Sequence, residues 1–226
     1  MDLVEQIYGN GKLLVRAMDW PTLQRNGSNL EYNCTTWANE FDLLLNKKLS
    51  SASTTLIVPN VGVSTYKNIG FLMNADLVNC FHIGISDSGS SGNIENGDFF
   101  ANASDFNNIN ELSNYIKENN STAMNEINVV AMLDSVVGLF LNKCDKSQYL
   151  LSQVIVVQKM LNNMLGIDYP IYLYDSKNGR IEKIELTTEL QEEIISSLKT
   201  KNIFYWPDDY SEPVFECLDN IKSKIL

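Results

Sequence analysis

The chain has 226 residues, 44% of them apolar, enough to bury a sizeable core as one large domain or as a domain with an appendage. A formal net charge of −11 sets it against nucleic-acid phosphate and anionic lipid, so neither nucleic acid nor a membrane surface is an expected partner. No uncharged apolar run reaches the roughly 18 residues a membrane span requires, and the opening MDLVEQIYGNGKLL, acidic and without a basic stretch, does not read as a secretory leader.

Residues 12–18, KLLVRAM, are a short apolar run interrupted by one arginine. They predict a buried strand, stopped at Asp19-Trp20-Pro21 because proline cannot donate to a ladder. Arg25 to Asn29 is a turn. Trp37, Phe41, Leu44 and Leu45 share one helix face and predict a helix over 35–48. Ser50 to Thr54 reads as a polar loop, and 55–64 as an extended segment bent by Pro59 and Gly62. Residues 66–79 carry a weak helical pattern. Residues 80–86, CFHIGIS, predict a strand that ends in the turn-rich DSGSSGNIENGD.

A helix over 104–118 is expected, capped by Ser104 or Asp105. INVVAML (127–133) and VVGLFLN (136–142) are strand-like runs joined at Asp134-Ser135, a candidate hairpin. A helix over 147–165 follows, then a hairpin over 169–186 turning at Lys177-Asn178-Gly179. A helix over 187–199 is led by Thr187 or Thr188, and beyond the loop from Pro207 to Pro213 a last helix runs to the end. The strand-rich part stops near 143–147, which divides the chain into 1–146 and a more helical extension, 147–226, able to pack as part of the same domain.

Arginine is used three times, at Arg16, Arg25 and Arg180, in a chain whose other basic residues are lysines; where it is used, its planar fork can matter. Cys34, Cys80, Cys144 and Cys217 are scattered with no CxxC and no Cys/His cluster, so packed, reduced thiols are expected and structural zinc is not.

Three segments carry a possible chemistry, in this order: Gly11 to Asp19, which holds Arg16 with Asp19 close behind; Gly62-Val63-Ser64-Thr65-Tyr66; and Met124-Asn125-Glu126-Ile127, which opens an apolar strand with a carboxylate. The series resembles the arginine–serine–glutamate class of mono-ADP-ribosyltransferases, the cholera-toxin-like branch, over about residues 10–145. That class has an arginine on a first strand, a Ser-Thr segment on a second and a glutamate opening a third. The resemblance implies an α/β fold of short antiparallel sheets split around an NAD cleft, with NAD as substrate and no metal. Glu126 would stabilise the oxocarbenium-like centre left when the nicotinamide–ribose bond breaks. Arg16 would clamp phosphate or ribose oxygens, for which a bidentate fork suits better than an ammonium. Ser64 would aim Glu126, Thr65 would support it, and Tyr66 or Phe81 would stack on nicotinamide. ADP-ribose would pass to a protein acceptor or to water. Met124 stands where arginine-modifying members carry Gln or Glu, and Tyr66 where a serine is usual. Such proteins are often toxins or effectors, which implies translocation without a leader into a target-cell cytoplasm; otherwise the chain would be cytoplasmic.

Two other readings compete. Cys34 precedes a predicted helix, whose N-terminus favours thiolate, and the single histidine, His82, lies on a later strand with Asp87 or Asn102 available to orient it. This pair resembles a papain-like hydrolase or deamidase. An acidic surface and an extension from residue 147 also suit a non-catalytic protein-binding module.

Overall fold

The computed structural model describes residues 2–26, 29–46, 52–84, 100–101, 105–119, 125–144 and 147–200. Its helices are α1 (Leu3–Gly9), α2 (Thr35–Leu45), α3 (Ile109–Asn119), α4 (Ser147–Leu165) and α5 (Thr188–Thr200). Its strands are β1 (Leu13–Met18), β2 (Thr22–Asn26), β3 (Asn29–Asn33), β4 (Ala52–Ile57), β5 (Ile69–Asn74), β6 (Cys80–Gly84), β7 (Phe100–Ala101), β8 (Glu126–Val129), β9 (Val136–Asn142), β10 (Ile171–Asp175) and β11 (Arg180–Ile184). Nine of them form one sheet in the order β11-β10-β9-β5-β1-β4-β8-β6-β7, while β2 and β3 pair as a separate hairpin. Only β9 and β10 run parallel, and α4 is the crossover between them, as a parallel pair requires. No helix among the described residues is long and apolar enough to cross a membrane.

Strand alternation divides the core into two faces. Leu14 and Met18 of β1 point toward a large cluster with Trp37, Phe41 and Leu44 of α2 and with Leu150, Val154 and Leu161 of α4. Phe41 sets its ring edge-on against Phe71 of β5, centroids 5.1 Å apart, and the Trp37 indole N–H donates to the Asp19 carbonyl at 2.7 Å. Leu13 and Val15 point the other way, toward Val4, Ile7 and Tyr8 of α1 and Tyr172 and Tyr174 of β10. Helix α1 starts with a capping box: the Asp2 carboxylate accepts from the helix backbone and Glu5 reaches back to the Asp2 N–H.

The segment after β4 crosses this second face on its way to β5. Tyr174 Oη donates to the Val63 carbonyl at 2.9 Å and accepts from the Val63 N–H at 3.2 Å. The Tyr8 hydroxyl donates to the Gly179 carbonyl in the β10–β11 turn. Gly179 has φ +55°, and a Cβ there would collide with the Val61 backbone, so only glycine lets the turn and the crossover meet.

Strand β4 serves two partners in succession. Its second half pairs with β1, Leu13 opposite Ile57 and Val15 opposite Thr55; its first half pairs with β8, Ala52 opposite Val129 and Thr54 opposite Ile127. Both ladders stop where β4 leaves one neighbour for the other, and side chains complete them. Continuing the β8 register would set residue 125 opposite Leu56. There the Asn125 side chain replaces the missing backbone, its Oδ1 accepting from the Leu56 N–H and its Nδ2 donating to the Leu56 carbonyl, each at 2.8 Å. This amide is 1% exposed, so its loss would leave two buried backbone groups without partners.

The structure departs from the sequence pattern where pairing is non-local. Residues 69–74 are strand β5, flanked by β1 and β9 and buried on both faces, so no alternation marks them. The two runs around Asp134-Ser135 do not form a hairpin: β8 pairs with β4 and β6, β9 with β5 and β10, and a short 3-10 helix at Leu133–Ser135 separates them. Helix α3 begins at Ile109 rather than 104, because the Asn108 side chain accepts from the Asn110 and Glu111 N–H groups. Ser104 lies outside the described residues, as do 87–98 and everything after 200, including the loop from Pro207 and the last helix. The boundary near 146 does not divide the sheet, because β10 and β11 extend it beyond β9 and α4 packs on it. Replacing Asn125 with Ala is expected to lower unfolding free energy by about 2–4 kcal/mol, read from urea melts; a change under about 0.5 kcal/mol would show that the side-chain pairing is incidental.

Candidate active site

Arg16 sits near the C-terminal end of β1, a central strand. Its side chain points to the α2 face, where its Nε donates to Glu40 Oε1 at 2.9 Å; the two side chains are 25% and 14% exposed. Its Nη1 donates to the Ser53 carbonyl at 3.0 Å. That carbonyl lies where β1 and β4 part: continuing the β1–β4 register would set Ala17 opposite Ser53, and the guanidinium takes the place of the absent ladder partner. Asp19, three residues after Arg16, pairs with Lys67 at 2.8 Å.

Glu126 opens β8, next to β4. Ile127 and Val129 turn into the main core, so Glu126 and Asn128 face the opposite side of the sheet. Ser53 Oγ donates to Glu126 Oε1 at 2.9 Å, and Asn128 Nδ2 approaches the same oxygen at 3.4 Å. Ser53 is exposed, while Glu126 and Asn128 are half-buried. Thr54, the next residue of β4, turns inward and donates its hydroxyl to the Ile127 carbonyl at 2.6 Å, locking β4 to β8 one position from Glu126. The arginine and the carboxylate therefore both touch Ser53, one at its carbonyl and the other at its hydroxyl.

The family resemblance implies Ser64 as the serine that aims Glu126, whereas the hydroxyl that donates to Glu126 is that of Ser53. Ser64, Thr65 and Tyr66 belong to the crossover on the β9–β10 side of the sheet, away from β8, after Val63, which packs with Val15 and Tyr174. Thr65 Oγ1 donates to the Lys67 carbonyl at 2.7 Å and accepts from Asn142 Nδ2 at 2.6 Å, a local brace between the crossover and β9. Tyr66 is exposed, with the Lys67 ammonium 5.0 Å from its ring centroid. Ser53 was hidden because Ser50 to Thr54 looks like a polar loop. The available signal was the run Ala52-Ser53-Thr54-Thr55-Leu56: small and β-branched residues that continue a strand backwards from LIV.

Strand β6 completes this polar face. Its register with β8 shifts between Cys80 and His82, leaving Phe81 as the extra residue, 51% exposed. His82 lies opposite Asn128 and Gly84 opposite Glu126. Because Ile83 is in the core with Ile127, His82 faces the same side as Asn128 and Glu126. Ser53, Asn128 and His82 thus form one row across β4, β8 and β6, with Glu126 diagonal to both ends. Of the two aromatic candidates, Phe81 borders this face and Tyr66 does not.

Cys34 is half-buried. It stands at the start of α2, where a helix dipole would favour thiolate, yet burial pushes its thiol up to about 11, and it packs against the core. His82 lies in the β4–β8–β6 half of the sheet, paired with Asn128. Of its proposed orienting partners, Asp87 and Asn102 lie outside the described residues. Among the described residues no group of three or more His, Cys, Asp or Glu side chains is placed to hold a metal ion. An apolar cavity of 470 Å³ beside Leu44, Met132 and Tyr169, and a polar one of 230 Å³ between α4 and α5, are both lined by residues other than Arg16, Ser53 and Glu126.

Thiol alkylation tests the Cys34 environment. At pH 8 a thiol titrating at about 11 is roughly one part in a thousand thiolate, so iodoacetamide should modify exposed Cys144 well before Cys34 or Cys80, whose thiols are both pushed up to about 11. Peptide mapping by mass spectrometry reads the order, and rapid labelling of Cys34 would restore it as a nucleophile. Compared with models of known protein families and with curated protein sequences, the chain matches none.

Proposed function

We propose that the chain is a mono-ADP-ribosyltransferase that cleaves the nicotinamide–ribose bond of NAD and passes ADP-ribose to a protein acceptor or to water. One observation carries the reading. An arginine, a serine and a glutamate lie on three adjacent strands, β1, β4 and β8: Arg16 reaches the Ser53 carbonyl from the α2 face, and Glu126, at the opening of its strand, accepts from the Ser53 hydroxyl on the other face. Substituting Ser53-Thr54 for Ser64-Thr65 keeps the order of arginine, Ser-Thr and glutamate along the chain and puts the middle member beside the other two. The strands form one mostly antiparallel sheet in which β4 hands its pairing from β1 to β8, and the two-sheet split of that class remains part of the proposal.

Each residue has a chemical task in this reading. As the C1′–N bond of NAD stretches, positive charge grows on the ribose, and a carboxylate held by Ser53 and Asn128 is already oriented to stabilise it. Nicotinamide leaves as a neutral ring and takes the bonding electron pair. Glu40 and the Ser53 carbonyl hold the Arg16 fork through Nε and Nη1 on the α2 face, so Arg16 braces the strand whose Ser53 hydroxyl aims Glu126 on the other face. Phe81 offers a flat apolar face at the border of the site. Action in a target-cell cytoplasm after translocation is part of the same proposal.

Incubation with labelled NAD and cell lysate tests it. The protein should release nicotinamide and label an acceptor. Glu126→Gln, close in size and able to keep the Ser53 contact, should lower nicotinamide release by about 100-fold or more with an unchanged circular dichroism spectrum. Ser53→Ala should lower it by about tenfold through lost orientation, and Ser64→Ala should leave it near wild type. No nicotinamide release from the wild type, or full activity in Glu126→Gln, would refute the reading.

A further inference from the structure

We propose that the apolar cavity at the end of α2 binds a small molecule with an apolar body and a protonated amine head. The inference stands apart from the NAD-cleaving reading, because none of Arg16, Ser53 and Glu126 lines this cavity. Three segments build its walls. The end of α2 supplies Leu44 and Leu45, the stretch from β8 to β9 supplies Met132, Leu133 and Val136, and the link from α4 to β10 supplies Ile167. Gly166, at φ +69°, takes the left-handed conformation that ends α4 and turns the chain toward Ile167. Ser135 donates to the Met132 carbonyl through its N–H at 3.1 Å and through its hydroxyl at 2.6 Å, which fixes the 3-10 turn between them. At 470 Å³ the cavity falls within the roughly 300–1,000 Å³ typical of small-molecule sites.

Two polar residues, Tyr169 and Asp134, complete the lining. Tyr169 is 4% exposed; its ring lies against Phe41 with centroids 5.9 Å apart, and its carbonyl accepts from Gln158 Nε2 at 2.6 Å. Both contacts fix the ring, yet its hydroxyl has no hydrogen-bond partner among the described residues, where a buried hydroxyl is normally paired. Burial pushes that hydroxyl up to about 12, so it keeps its proton at neutral pH and can both donate and accept. Asp134 is the one charged residue that lines the cavity, and it is exposed at the mouth with no ion-pair partner among the described residues. The ligand class follows from this set. An ammonium head meets the carboxylate beside low-dielectric walls, where the attraction is stronger than in water. An anionic head would be repelled by Asp134, and a neutral one would leave its charge unmatched. The apolar body covers the aliphatic and thioether side chains of the walls and frees the water over them.

Isothermal titration calorimetry with three probes that share one body tests the class: phenylbutylamine, phenylbutanol and phenylbutyrate. The amine should bind at least about tenfold more tightly than the alcohol, and the acid more weakly than either. Asp134→Asn should lower amine affinity by about tenfold and leave that of the alcohol within about twofold of wild type. Tyr169→Phe, which keeps the ring against Phe41, should weaken amine and alcohol together by about fivefold. No binding of the amine at millimolar concentration, equal binding of the three probes, or wild-type amine affinity in either variant would each overturn the inference. So would a dimer in sedimentation velocity that Leu45→Gln dissociates, since the face would then belong to a second copy of the chain. None of these readouts involves NAD, so the functional reading stands or falls separately.

Discussion

Strand β4 is only six residues long, yet it is the hinge on which the sheet divides, because it spends one half on β1 and the other on β8. A strand that changes neighbours leaves backbone donors and acceptors open on both sides of the change, and buried backbone groups must be paired. Two side chains meet that demand. Asn125 completes the β8 side at Leu56, and Arg16 completes the β1 side at Ser53. The residues needed to close the junction are therefore the ones that place the candidate catalytic group: Asn125 directly precedes Glu126, and Ser53, capped by Arg16 at its carbonyl, holds Glu126 with its hydroxyl.

This double duty explains how an acidic chain keeps a cation at the sheet junction. Arg16 is largely buried, with Glu40 as its ion-pair partner and a carbonyl as its second contact. A charge in that position without partners would be costly, but the pair is held in a geometry that fixes the guanidinium plane. Glu126 lies on the other face of the sheet junction, where it meets hydroxyl and amide groups. The two charges are thus kept apart by β4 and joined through one residue of it.

The rest of the chain supports this centre at a distance. The tyrosines of β10 and α1 staple the crossover that leads from β4 to β5, and the parallel addition of β10 through α4 widens the sheet on the side away from Glu126. Residues 147–200 contribute a helix to the α2 face and two strands to the sheet edge, so their described part is structurally continuous with the half that carries the candidate site.

Composition and periodicity by themselves determined the acidic charge, the mixed α/β class, the β1 run around Arg16, the Trp37-Phe41-Leu44 face of α2, the 147–165 helix and the 169–186 hairpin, because each depends on neighbours a few residues away. That Arg16 and Glu126 stand on strands was also legible from the apolar runs around them, while their candidate roles come from the family resemblance. Only the tertiary structure decided that Ser53 and not Ser64 meets Glu126, that His82 and Asn128 share its face, and that β8 and β9 part company rather than pair. These are facts of strand order and register between segments far apart in sequence. A single-residue shift in register moves every side chain to the opposite face, and no local pattern around Ser50 to Thr54 records which neighbour that strand will choose.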